Sequence, residues 1–504
     1  MNTNRHWLYP WLIPFLCLLT GGLALAAFEQ DYLWTAQEHS LFLHTPLFFR
    51  QCMAVPGGLL SWAGAWLTQF FYHPLAGIVL LCLLWAVVIG LLKVAFRIPR
   101  RWLWLTLIPV GCLLAADVEL GYWIYFLKLR GHLFVPTLGM MVVALLVWMH
   151  RSLPRFRLPL IVVTACAGYP LFGFYGLLGA MLNIIYEIKN IKLRRALTLT
   201  AAVAAVAVVP LIYYYTLYHQ TPLENMWWTG LPVFVHNGVG DRWLYVPYVV
   251  MVLWMVAMLW RPRLPKRAVW LGALLPLVIV VWAWNKDGNF HRELTMSRQM
   301  AQQDWSGMLA TIGGAKGEPT RAMSMMKNLA LQRLGRISEM NSWPDGFARP
   351  DAPFPVHAVH TVGKMLYLEY GIPNYCYRWC MEDGVEYGWT AEELKLMVKC
   401  SLLNREPVAA QRYLSLLKKT DFHRQWAKKY EAYVRQPALV AQDPEFKAIF
   451  PLLRDDDFLT SDQSQLEPFL IEHLASSTGD TPEQQELRNI YFKLYLNRYK
   501  YAEK

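Results

Sequence analysis

The feature that most limits this chain is a series of apolar runs, repeated up to about Trp284, each close to the ~20 residues that cross a bilayer as a helix. "LAGIVLLCLLWAVVIGLLKVAF", residues 75–96, is one of them. In hydrocarbon no water can pair the backbone, so each run must close its own hydrogen bonds. With 55% hydrophobic and only 17% charged residues, the 504-residue chain is too apolar for an ordinary soluble protein of its size. From Asn285 onward polar and apolar residues mix as they do in soluble domains. The expected organisation is a polytopic transmembrane domain, 1–285, followed by a soluble α-helical domain, 286–504.

Charge sets the expected topology. Four basic clusters, "RIPRR" (97–101), "RSLPRFR" (151–157), "KNIKLRR" (189–195) and "RPRLPKR" (261–267), belong on the cytoplasmic side by the positive-inside rule. They share one side only if an even number of crossings separates each from the next. That requirement predicts nine spans: 9–27, 75–96, 102–118, 133–150, 158–170, 174–188, 196–216, 243–260 and 268–284. It makes 158–188 two short helices broken at "GYPLFGFYG", the alternative being one tilted helix. It also makes 36–72 a juxtamembrane segment at the outer interface, where Trp62, Trp66, Phe70, Phe71 and Tyr72 suit the depth. The N-terminal stretch has signal-sequence character and is read as an uncleaved first helix, because further spans follow it. The N-terminus is then cytoplasmic, and the tail lies outside the inner membrane.

The tail reads as consecutive amphipathic helices. "YGIPN", "YGWTAEE" and "LNREPVAA" carry the Gly, Pro and capping residues that stop and restart helices, and Gly335 breaks "MSMMKNLALQRLGRI" near its end. Thr390 and Glu393 have capping-box spacing. Helical pairs of this period resemble tetratricopeptide repeats, which stack into surfaces that bind peptides or proteins; a plain helical bundle is the alternative. The eight cysteines form no framework: four lie inside apolar runs, and Cys376 and Cys380 of "CYRWC" share a helix face without a second ligand pair. "RDDDF" (454–458) lacks the further ligands of a calcium loop.

No nucleotide-binding glycine loop, zinc motif, nucleophile elbow or Cys/His dyad of recognisable spacing occurs, which argues against an ATP-driven pump and the commoner hydrolases. Charge deep inside the spans is scarce, which disfavours an ion-coupled carrier. No nucleic acid is expected as a partner. What stands out is acidic: Asp31 in "AAFEQDYLW" follows the first span, and Asp117 and Glu119 in "LAADVELGYW" end the third. Carboxylates at a membrane boundary can act as general bases or hold a divalent cation; the plain reading is a helix end emerging into water. Four basic residues break the positive-inside trend, Arg50, Lys128, Arg130 and Arg242, and such cations suit a lipid phosphate. Trp227 and Trp228 suit either a sugar face or an interfacial belt.

An acid opening the first outer loop, a juxtamembrane segment and an acidic pair in the second outer loop together resemble the GT-C superfamily. These are polytopic glycosyltransferases that use polyprenyl-phosphate-linked donors, some with tetratricopeptide-like tails. The resemblance implies Asp31 as catalytic base, with Glu29 as fallback, and Asp117 with Glu119 assisting it or binding a divalent cation. Arg50, Lys128, Arg130 or Arg242 would then hold the departing phosphate. The layout also looks like an uncharacterised group of bacterial membrane proteins, from which no activity carries over. Two other readings stand beside the enzyme: a membrane scaffold whose tail binds partner proteins in the cell envelope, and a component of a lipid or polymer transporter.

Overall fold

The computed structural model describes residues 9–188, 193–260, 268–315, 317–340 and 348–453, with isolated positions 485 and 489. "RDDDF" and most of "KNIKLRR" and "RPRLPKR" lie outside the described residues. The described chain is helical apart from one two-stranded hairpin. It divides into two units, one of Met1–Trp123 with Leu127–Lys286, the other of Asp287–Lys504 with Ile124–Phe126.

In the first unit the helices are α1 (Tyr9–Phe28), α2 (Gln30–Glu38), α3 (Pro46–Cys52), α4 (Gly58–Thr68), α5 (Pro74–Ala95) and α6 (Leu107–Val118). They continue with α7 (Val135–Ser152), α8 (Arg157–Phe172), α9 (Phe174–Ile188), α10 (Leu193–Thr216), α11 (Val246–Leu259) and α12 (Ala268–Ala283). A 3-10 turn, Arg100–Thr106, leads into α6. Each stretch expected to span is thus helical. Among the described residues four helical stretches are long and apolar enough to cross a membrane: Trp11–Phe28, Pro74–Ala95, Arg100–Val118 and Val135–Ser152. This is a membrane protein by that measure. Shorter apolar helices follow, Pro159–Phe172 and Phe174–Ile188 among them.

The two ambiguous stretches resolve locally. Residues 158–188 are not one helix: Gly173, at φ +54°, ends α8, and α9 folds back so that Gly176 faces the Gly168 backbone. The apolar run at 51–72 breaks into the end of α3 and the 11-residue α4, and 11 residues rise only about 16 Å against a ~30 Å core. Its aromatic residues pack within the protein, Trp62 on Phe42 and Phe49, and Phe71 on Phe134 just before α7.

Gly131 locks α4 against the chain before α7. Its φ is +69°, and a Cβ there would stand 2.2 Å from the Gly64 carbonyl carbon. Gly131→Ala is expected to lower the unfolding midpoint of the purified protein clearly, since the left-handed backbone alone costs about 1–2 kcal/mol before the clash is counted. An unchanged midpoint would mean that α4 can shift freely.

The second unit runs through α13 (Gly288–Ala301), α14 (Trp305–Gly313), α15 (Arg321–Arg333), α16 (Gly363–Glu369) and α17 (Pro373–Glu386) to α18 (Ala391–Leu403), α19 (Pro407–Leu417), α20 (Arg424–Arg435) and α21 (Pro444–Ile449). From α16 to α20 each helix packs on the next, and α18 also meets α16 and α20. The expected stops are present: Gly335, Gly371, Gly388 and Arg405 take positive φ, and Pro373 and Pro407 begin the helices that follow. The capping box is complete, with the Glu393 amide donating to Thr390 Oγ1 at 3.1 Å and the Thr390 amide donating to Glu393 Oε2 at 3.0 Å.

A buried ion cluster organises this core. Lys364, with 3% of its side chain exposed, donates to Asp383 Oδ2 at 2.6 Å and lies 3.4 Å from Glu393 Oε1. His360 Nδ1 is 3.0 Å from the other Asp383 oxygen. Burial would lower Lys364, but Asp383 and Glu393 outweigh it and hold the ammonium well above the usual lysine range. Ile124–Phe126 complete the same core: Phe126 packs edge-on against Phe354, His360 and Tyr387. Cys376 and Cys380 are buried and form no disulfide.

Candidate functional site

The acids converge through the ends of α1 and α6. Helix α1 does not stop cleanly at Phe28. Glu29 takes a non-helical conformation, yet its amide donates to Leu25 O and its carbonyl accepts from Leu33, so α2 continues after a single-residue kink. The kink turns Glu29 inward, where it is 2% exposed, and sets Tyr32, also 2% exposed, one turn further on. Tyr32 Oη donates to the Asp117 carbonyl at 2.8 Å. Burial first, and then the nearby Asp117 and Glu29, hold the Tyr32 phenol well above its usual range, so it remains a donor at neutral pH.

Asp117 is therefore not a solvated helix end. It is 4% exposed in the last turn of α6, within electrostatic reach of Tyr32, Tyr175 and Tyr248, and its Oδ2 has no hydrogen-bond partner among the described residues. Tyr175 Oη is likewise buried and unpaired among them. The end of α6 is held by the Asn285 amide, which donates to Val118 O at 3.3 Å, and by Gly121, whose positive φ lets the chain turn tightly beside Asn285.

Glu119 points elsewhere. Residues two apart on a helix diverge by about 200°, and Glu119, half-buried at the C-cap of α6, faces the surroundings of Asp241. Burial and that second carboxylate raise its pKa from the ordinary 4.5 to about 7. Asp241 is placed by the hairpin of Val235–His236 and Val239–Gly240, whose turn is Asn237–Gly238 with φ of 49° and 77°. The Asp241 amide donates to Phe234 O at 3.0 Å, and Phe234 packs on Trp123 and Tyr245.

The expected residues fare unequally. Asp31 lies half-buried in the first turn of α2; the acid that shares Tyr32 with Asp117 is its neighbour Glu29, the fallback. Asp117 and Glu119 diverge, and among the described residues no three His, Cys, Asp or Glu side chains gather as metal ligands. Arg130 is half-buried over the Phe48 ring at 5.1 Å, with Nη1 3.8 Å from Cys52 Sγ. Arg50, Lys128 and Arg242 are exposed, Arg242 directly after Asp241. Trp227 packs into a core of α8, α9 and α10, whereas Trp228 is 56% exposed beside Phe174. Sequence reasoning missed Tyr32, Tyr175 and Asp241. A tyrosine one turn after Glu29 was the available sign for the first; the other two depend on tertiary placement.

No curated protein and no solved structure matches the chain. A family model does, over residues 5–481, and its span covers both units. The chain belongs to the family described as a family of unknown function, DUF6057.

Proposed function

We propose that this protein is a membrane glycosyltransferase-like enzyme that transfers a sugar from a polyprenyl-phosphate-linked donor on the outer face of the cytoplasmic membrane. The observation that carries the reading is the group of acids at the end of α6: Asp117, buried with Glu29 around Tyr32, and next to it Glu119, half-buried with a pKa of about 7. A base poised near the working pH is what proton removal from a sugar hydroxyl requires. Glu119 takes that proton as the acceptor oxygen bonds to the anomeric carbon. The bond from that carbon to the phosphate breaks, and the phosphate leaves with its electron pair. Arg242, next in the chain to Asp241 and exposed, is the cation proposed to receive the leaving phosphate, and exposed Trp228 offers a face to a sugar ring. Asp117, Glu29 and Tyr32 act as a rigid platform behind Glu119.

The expected topology supports the same reading: nine spans, the N-terminus in the cytoplasm, and the acids and tail outside. The successive packing of α16 to α20 supports a tetratricopeptide-like tail. It also favours a second reading, a scaffold whose tail holds partner proteins during cell-envelope assembly. Incubating the purified full chain, in lipid nanodiscs, with a panel of polyprenyl-phosphate sugars tests the enzyme directly. Release of polyprenyl phosphate that is lost in Glu119→Gln, at normal protein level, is the expected result. Equal release from wild type and Glu119→Gln overturns it.

A further inference from the structure

A cavity of about 640 Å³ opens in the first unit between α1 and α12, with α6 as its floor. Its walls are apolar: Leu18 and Ala24 on α1, Val110 and Leu114 on α6, Leu277 and Val280 on α12. Three of its contributing stretches, Trp11–Phe28, Pro74–Ala95 and Arg100–Val118, are among those apolar and long enough to span. Its volume lies in the range of about 300–1,000 Å³ usual for small-ligand sites. At one end Phe28 and Trp284 meet edge-to-face at 6.4 Å, and there stands exposed Lys286, alone charged among the described lining residues.

We propose that this groove binds one acyl chain of an anionic glycerophospholipid, with the headgroup phosphate on Lys286. Length argues for the chain. Along α1 the groove runs from Cys17 to Phe28, about 16 Å at 1.5 Å per residue, half of a ~30 Å hydrocarbon core and so the depth of one leaflet. A much longer hydrocarbon would leave most of its length outside. Charge argues for the headgroup: the cation lies at one end of the apolar lining, as a phosphate at the end of an acyl chain requires. The groove also has a fixed base, because Gly111 brings α6 to within contact of Pro276, where a Cβ would meet the proline at 3.0 Å. The site stands apart from the sugar-transfer reading and holds whether or not the acids are catalytic.

The test is photo-crosslinking of the full chain in nanodiscs containing phosphatidylglycerol with a diazirine on one acyl chain, mapped by mass spectrometry. The exposed α5 residues Leu75, Val79 and Leu83 report ordinary surrounding lipid. Peptides covering 17–28 and 276–284 should be labelled well above that α5 face. Ala24→Trp, and separately Val280→Phe, should bring them down to it while α5 labelling stays constant. Lys286→Gln should weaken the preference for phosphatidylglycerol over phosphatidylcholine about two- to fivefold, the scale of one exposed ion pair. Groove labelling equal to that of α5, or unchanged in both filled variants, overturns the site. No headgroup preference in the wild type overturns the assignment to an anionic lipid. Displacement of the label by polyprenyl phosphate but not by unlabelled phosphatidylglycerol overturns the phospholipid as occupant.

Discussion

If the proposed sugar transfer uses Glu119 as its base, Glu119→Gln is expected to slow it by about 10²–10⁴-fold without lowering the amount of protein in the membrane, the range for losing a general base. The amide keeps the shape of the side chain but cannot take a proton. The pH dependence carries the sharper signature. Because burial and Asp241 raise the Glu119 pKa to about 7, the carboxylate that the proposed base role requires forms only as pH rises through that value. Wild-type activity should therefore climb across pH 6–8 and level off above it. Asp241→Asn removes a negative neighbour and should move the inflection toward lower pH, because ionising Glu119 then meets less repulsion. A profile that falls through pH 7 would make Glu119 an acid instead, and a flat one would remove it from the chemistry. The sign for stability runs the other way. A carboxyl raised in the fold stays protonated between about pH 4.5 and 7 while the unfolded chain ionises, so its contribution declines across that window.

Lys364→Met is expected to destabilise the second unit by about 3–5 kcal/mol, the cost of removing one partner from a buried ion cluster. Asp383 and Glu393 would face each other's charge without the ammonium that lies 2.6 and 3.4 Å from them. A triple variant, Lys364→Met with Asp383→Asn and Glu393→Gln, should recover part of the loss, since the stranded charges go with the lysine. Thermal unfolding of the full chain in detergent measures both. If the single variant unfolds with the wild type, the cluster contributes nothing. Acid should weaken the same cluster. Burial would raise Asp383, but Lys364 and His360 together outweigh it and lower it from the ordinary 3.8 to about 2. Its stabilising share is then complete above about pH 3.8 and is lost as pH falls toward 2.

The sequence carried the helices well because apolar length, Gly and Pro act locally. The break inside 158–188 fell at Gly173, within the quoted glycine-rich stretch, and the Thr390 capping box formed with both its bonds. The acids were only half legible. A hydropathy window shows where a span ends, and it placed Asp117 at that edge, but it gives no sign that the edge is covered. The cover comes from Tyr32, Tyr175 and Tyr248, which lie far from Asp117 in the chain and reach it only after folding. Of the two acids in "AAFEQDYLW", a one-residue kink at Glu29 directs that one inward, and nothing in the stretch marks the kink. Lys364 was invisible for a related reason: "GKMLYLE" reads as an amphipathic helix with a solvated lysine until Asp383 and Glu393 are brought against it.

Ile124–Phe126 give the second unit an order of assembly. The ribosome delivers Tyr125 and Phe126 long before Phe354, His360 and Tyr387, so the aromatic contacts of Phe126 wait until α17 has been made. The unit is thus a discontinuous domain, with a piece of its interior encoded in the middle of the membrane region. Cutting the gene after Lys286 would not separate two self-sufficient halves. The released tail would lack Phe126 and expose the rings that pack on it, and the membrane half would carry Ile124–Phe126 with the packing partners of Phe126 gone.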